Sequence, residues 1–162
     1  MNIVIIGANR GIGLELAKEY KNLNYNVIGT SRNPLSSTTL QEEIGLENIL
    51  PLDISNEESI NNFCKEIIIK TNSKIDILIN NAGARCERGL IEIPDQSVMM
   101  DTINTNAIGP TILIKTLKSF LANAKIAIIT SGMGSISKTM SGDLSYCLLY
   151  TSPSPRDGLL AR

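Results

Sequence analysis

Two hydrophobic textures alternate along the chain. Short unbroken apolar runs, mostly β-branched, are separated by longer stretches whose apolar positions recur at helical spacing. The first run, Ile3-Val4-Ile5-Ile6, has no polar break and ends in Gly7. Such a run predicts a strand buried on both faces, as in a parallel sheet. Beyond it Leu14, Leu16, Ala17 and Tyr20 fall on one side of a helix, with Glu15, Lys18, Glu19 and Lys21 elsewhere. Asn22 and Asn24 end that helix. Residues 26–31 read as a second strand, residues 34–45 contain a short helical stretch, and residues 48–52 read as a short third strand. Residues 56–70 carry Ile60, Phe63, Ile67 and Ile68 at helical spacing, with Glu57, Glu58, Lys65 and Glu66 outside. A fourth strand is predicted over residues 74–80 and a fifth over residues 125–130. Between them, residues 97–120 are mostly helical, broken softly near Gly109-Pro110, with Ile112, Leu113, Thr116 and Leu117 expected to pack.

Composition narrows the function classes. A length of 162 residues predicts one domain. A formal net charge of −1 argues against an electrostatic nucleic-acid binder. No apolar run reaches membrane-spanning length, so no membrane partner is expected. The chain starts directly with a strand, so no leader peptide is expected. Cys64, Cys86 and Cys147 stand at unrelated positions, which points to a reduced cytoplasm. Cys64 reads as a core or groove residue, and Cys86 and Arg88 as surface residues of a loop over residues 85–95 that borders the substrate pocket. There is no histidine and no cysteine cluster with ligand spacing, so no metal site is expected and histidine acid–base chemistry is excluded.

The first strand runs into Gly7-Ala8-Asn9-Arg10-Gly11-Ile12-Gly13 and then into a helix. Strand, glycine turn and helix is the context of a dinucleotide site. Gly7 permits the tight turn, and Gly11 and Gly13 lack the Cβ that would hold a pyrophosphate and the sheet apart. The helix start offers N–H groups and positive dipole charge to phosphates. At the end of the second strand, where a carboxylate would hold a ribose 2′-hydroxyl, stand Ser31 and Arg32. A guanidinium suits a 2′-phosphate, and Arg10 is a second cation on the same side. Two cations and no carboxylate favour NADP (as NADPH) over NAD.

The turn's spacing, G-x-x-x-G-x-G ending in G-I-G, resembles the short-chain dehydrogenase/reductase family. So do S-R-N-P at residues 31–34, L-D-I-S at 52–55, N-N-A-G at 80–83, N-T-N-A-I-G-P at 104–110 and T-S-G-M-G-S-I at 130–136. The phrasing looks most like carbonyl reductases of the sniffer and C-factor type. The resemblance covers about residues 1–146. It implies an α/β fold, a doubly wound parallel sheet of the Rossmann type in strand order 3-2-1-4-5, truncated at its carboxyl end. It implies cofactor binding by Gly7, Asn9, Arg10, Gly11, Ile12, Gly13, Ser31, Arg32, Asp53, Ile54, Asn80, Asn81, Ala82 and Gly83, with Asp53 on the adenine. Asn106 would support the active-site water and lysine. Many members pair through the helix that follows, so a homo-oligomer is implied as well.

The implied reaction is hydride transfer between the nicotinamide and a carbonyl or alcohol carbon. Ser131 would hold the substrate oxygen, and Tyr146 would be the acid/base or its immediate neighbour. The family lowers that tyrosine's pKa with a lysine four residues on. Position 150 is Tyr150, and no lysine follows Lys138. General acid–base assistance is typically worth about 10²–10⁴ in rate, so the chain as it stands is expected to be inactive or nearly so. Its fifth strand, left as a bare apolar edge, predicts poor solubility. The alternative is a regulatory protein that senses NADP without turnover; a purely structural α/β domain is disfavoured by the ordered motifs.

Residues 147–162 have a different texture. Pro153, Pro155 and Gly158 forbid a continuous helix there. The string resembles the in-frame translation of a sequencing-library adapter. The division expected is therefore an incomplete dinucleotide-binding domain over residues 1–146 and a non-native or disordered tail over 147–162.

Overall fold

The apolar runs become five parallel strands: β1 (Asn2–Ile6), β2 (Asn26–Ser31), β3 (Ile49–Pro51), β4 (Ile77–Asn80) and β5 (Lys125–Ile128). Their order in the sheet is β3-β2-β1-β4-β5, the doubly wound order. The structure is a computed structural model that describes residues 1–84 and 96–131. The chain divides into two units, Met1–Gly83 with Asn104–Ile129, and Ala84–Ile103 with Thr130–Arg162. The first holds the whole sheet together with α1 (Gly11–Asn22), α2 (Thr38–Ile44), α3 (Glu57–Lys70) and α5 (Gly109–Leu117). The described part of the second holds α4 (Gln96–Ile103), in which Thr102 Oγ1 donates to the Val98 carbonyl at 2.9 Å.

Alternating residues of β1, β2 and β4 serve two cores. Val4, Ile6, Ile28 and Leu78 pack with Ile60, Phe63 and Ile67 of α3 and Leu113 and Leu117 of α5. Ile3, Ile5, Val27 and Ile79 pack on the other face with Ala17 of α1 and Leu40 and Ile44 of α2. Burial on both faces is why β1 has no polar interruption. Asn56 caps α3, its side chain accepting the Ser59 N–H at 2.9 Å, with Glu57 and Glu58 in the first turn and Lys70 in the last. Cys64 lies in the first core, and burial pushes its thiol up to about 11.

Three sequence expectations are corrected. The Gly109-Pro110 pair is not an interior break: it opens α5, where proline's missing N–H costs nothing. The irregularity comes earlier, as a π-helical turn at Asn104–Ile108. Thr116 is exposed and Ile114 is the partly buried residue instead, because Leu113 and Leu117 already define the inward side. Residues 74–76 precede the fourth strand as a junction, with Ile75 buried in the core between Lys74 and Asp76. There Asp76 Oδ2 accepts the Asn2 N–H at 2.7 Å and Lys74 Nζ lies 3.4 Å from Asp76 Oδ1.

Candidate functional site

Within the first unit the carboxyl ends of β1 to β4 present the glycine turn, Ser31-Arg32, Asp53 and Asn80-Asn81 along one edge of the sheet. Parallel sheets gather their ligand-binding loops at such an edge.

The glycine turn is tied to both neighbouring strands. The Gly7 N–H donates to Thr30 Oγ1 at 2.9 Å, and the Ala8 N–H to the Thr30 carbonyl at 2.9 Å. Asn81 Nδ2 donates to the Gly7 carbonyl at 2.8 Å, and the Asn81 N–H to the Ile6 carbonyl at 3.1 Å. Gly7 has φ +78, and a Cβ on it would stand 2.9 Å from the Ala82 Cα.

Gly11 and Gly13 make room for different things. A Cβ on Gly13 would strike the Gly7 carbonyl oxygen and stand 2.5 Å from Asn81 Nδ2. Gly13 therefore makes room for the protein itself. A Cβ on Gly11 would meet nothing within 4 Å, and its φ is +57. Gly11 is the one that leaves open space before the helix. Arg10 precedes α1 with no side-chain cap, and the first turn holds no acidic residue. The N–H groups of that turn are thus the natural partners of an external anion.

Asn9, Arg10, Ile12 and Arg32 are exposed, and among the described residues neither arginine is ion-paired. Ile12 is 61% exposed, an apolar side chain set out at the mouth of the turn. Ser31 is buried. The Asp53 carboxylate folds the turn after β3, its Oδ1 accepting from the Ser55 N–H at 3.0 Å and the Ser55 hydroxyl at 2.6 Å. Ile54 turns its side chain into the core.

Asn80 is 4% exposed, and among the described residues its Oδ1 has no hydrogen-bond partner. A buried acceptor without a donor costs about 1–3 kcal/mol, so the end of β4 suits a donor brought from outside. A Cβ on Gly83 would lie 3.4 Å from Asn106 Oδ1, which brings the π-helical turn against N-N-A-G. Ser131 is the third residue after β5 and belongs to the second unit. Tyr146, Cys86, Arg88 and Cys147 lie outside the described residues.

Two residues escaped the sequence reading. Thr30 lies inside β2 (N-V-I-G-T-S) and its hydroxyl accepts the Gly7 N–H; no local pattern marks it. Gly109 lies so close to the Ile54 carbonyl that a Cβ there would strike the oxygen and stand 2.9 Å from the carbon. Its place in N-x-N-x-x-G-P was visible, but not what it packs against. Among the described residues no helix is long and apolar enough to cross a membrane.

Comparison with known proteins agrees with this architecture. A family model described as short chain dehydrogenase matches residues 1–147. The NADPH-dependent 1-acyldihydroxyacetone phosphate reductase of Saccharomyces cerevisiae is 32% identical over 134 residues, 80% of this chain and 44% of that protein. The 3-oxoacyl-[acyl-carrier-protein] reductase of Buchnera aphidicola is 33% identical over 132 residues, 80% of this chain and 53% of that protein. The carbonyl reductase Sniffer of D. melanogaster superposes with a TM-score of 0.79 at 26% identity, over 93% of this chain and 69% of that one. ElxO with NADP bound gives 0.78 at 27% identity, over 93% and 62%. The chain spans about half the length of the curated relatives it matches.

Proposed function

The chain belongs to the short-chain dehydrogenase family, and from that premise we propose that residues 1–146 are the NADP-binding part of a reductase acting on a small carbonyl or alcohol substrate in the cytoplasm. The observation that carries this reading is the uncapped start of α1 beside Gly11, with exposed Arg10 and Arg32 following adjacent strands and no acidic residue in the first turn. NADP-bound and NADPH-dependent proteins among the relatives support the same choice.

In this reading Gly7, Asn9, Arg10, Gly11, Ile12 and Gly13 bound the pyrophosphate. Arg32 meets the 2′-phosphate at the end of β2, with Ser31 behind it. Asp53 and Ile54 border the adenine, and Asn80, Asn81, Ala82 and Gly83 the far ribose. The cofactor, when bound, supplies the hydride. By the family resemblance Ser131 would hold the substrate oxygen by hydrogen bond, Tyr146 would exchange its proton, and Asn106 would support the active-site water. Without a lysine at position 150 no cation four residues on favours the phenolate, so the proton step is slow and the chain as it stands is a weak or inactive catalyst. In the complete protein the helical stretch over residues 97–120 would also serve as a face for a second copy.

Tyr150 in the lysine's place gives a second reading some support: a protein that senses NADP without turnover. Titration with NADPH and NADH, followed by cofactor fluorescence, tests the shared premise. NADPH should bind at least about tenfold more tightly, and Arg32→Gln should erase most of that difference. Tighter NADH binding would refute the choice of cofactor.

A further inference from the structure

A serine at a helix N-cap normally turns its hydroxyl onto the first-turn N–H groups. Ser37, at the N-cap of α2, makes no such bond. Its hydroxyl instead turns back, 2.7 Å from Ser31 Oγ and 2.9 Å from the Asn33 carbonyl oxygen. The Asn33 N–H donates to Ser31 Oγ at 3.2 Å. Both serines are buried, at 5% and 7% exposure. Each hydroxyl has one proton to give. The Ser37 proton is shared between Ser31 Oγ and the Asn33 carbonyl, and the ring closes through both backbone groups of Asn33. Gln41 of α2 adds a brace, its Nε2 donating to the Pro34 carbonyl at 2.7 Å and the Leu35 carbonyl at 3.1 Å.

Arg32 is the residue that this ring leaves outside. It sits between Ser31 and Asn33, and it is exposed. We propose that Ser37, acting through Ser31 and Asn33, is the positioning residue that sets Arg32 for a ribose 2′-phosphate, and so a determinant of cofactor specificity. The proposal rests on the NADP reading above. Its physical content is preorganisation: a guanidinium grips a phosphate with two parallel bonds only if its backbone is already held. Ser31 contributes through the loop, its Oγ accepting from Ser37 and from the Asn33 N–H.

The test compares the binding of adenosine 2′,5′-bisphosphate and adenosine 5′-monophosphate to the chain by calorimetry. The parent should prefer the bisphosphate by about tenfold or more. Ser37→Ala should cut that preference at least about threefold while the monophosphate binds as before, which also shows that the fold is intact. Gln41→Ala should cut it in the same sense and by less. In an Arg32→Gln background, Ser37→Ala should change nothing further, since its effect passes through Arg32. An unchanged preference in Ser37→Ala, or an equal loss in the Arg32→Gln background, overturns the proposal. A parent with no preference overturns the NADP reading itself, and the proposal with it.

Discussion

Gly13→Ala and Gly11→Ala are expected to fail in opposite ways. At Gly13 the added methyl strikes the Gly7 carbonyl, stands 2.5 Å from Asn81 Nδ2 and 3.1 Å from the Ala8 Cα. Overpacking of this kind costs about 1–3 kcal/mol. Displacing Asn81 also removes its 2.8 Å bond to Gly7, worth about 1 kcal/mol net. Alanine's better helix propensity returns up to about 1 kcal/mol. The net loss is about 1–4 kcal/mol, a large share of a typical domain's stability. At Gly11 the methyl meets nothing within 4 Å. Only the left-handed backbone resists it, at about 1–2 kcal/mol, partly offset because the unfolded chain loses freedom as well. The same methyl enters the open space before α1, where phosphates are proposed to sit. Urea unfolding followed by circular dichroism should therefore show the larger loss for Gly13→Ala. NADPH titration should show the larger loss of affinity for Gly11→Ala, about tenfold or more if a phosphate is displaced. A Gly11→Ala protein less stable than Gly13→Ala, or one that binds NADPH as tightly as the parent, would refute the division of labour between the two glycines.

Gly109→Ala should destabilise the chain by about 1–3 kcal/mol, since its methyl would strike the Ile54 carbonyl; an unchanged urea midpoint would contradict this contact. Asp76 titrates below the usual carboxylate range because the Asn2 N–H, and to a lesser degree Lys74, favours its charged form. Its contribution is therefore present above the ordinary Asp value near 3.8 and is lost as pH falls through the lowered one. Asp76→Asn should flatten that part of the stability–pH curve and leave its slope unchanged above pH 5 or so. Ile126 and Ile128 are 43% and 53% exposed on β5. Replacing both with lysine should raise the concentration at which the chain precipitates while leaving the circular dichroism spectrum intact; no gain in solubility would show that this surface does not drive association.

The order of strands and helices was legible in the sequence because the inner strands are buried on both faces. That requirement makes β1 and β4 unbroken apolar runs and puts Ile60, Phe63 and Ile67 at helical spacing, whatever the chain's neighbours are. That the turns after the strands share one edge was legible too, since Gly7, Asp53 and Asn81 each follow a strand, and parallel strands all end at one edge. What only the tertiary structure decided is who touches whom across that edge. Thr30 reaches Gly7, Asn81 reaches the carbonyl over Gly13, and Gly109 reaches Ile54 through contacts between residues distant in sequence, which no local pattern encodes. The same reason separates Gly11 from Gly13: one faces open space and the other a carbonyl, a difference set by packing and invisible in a spacing of two residues.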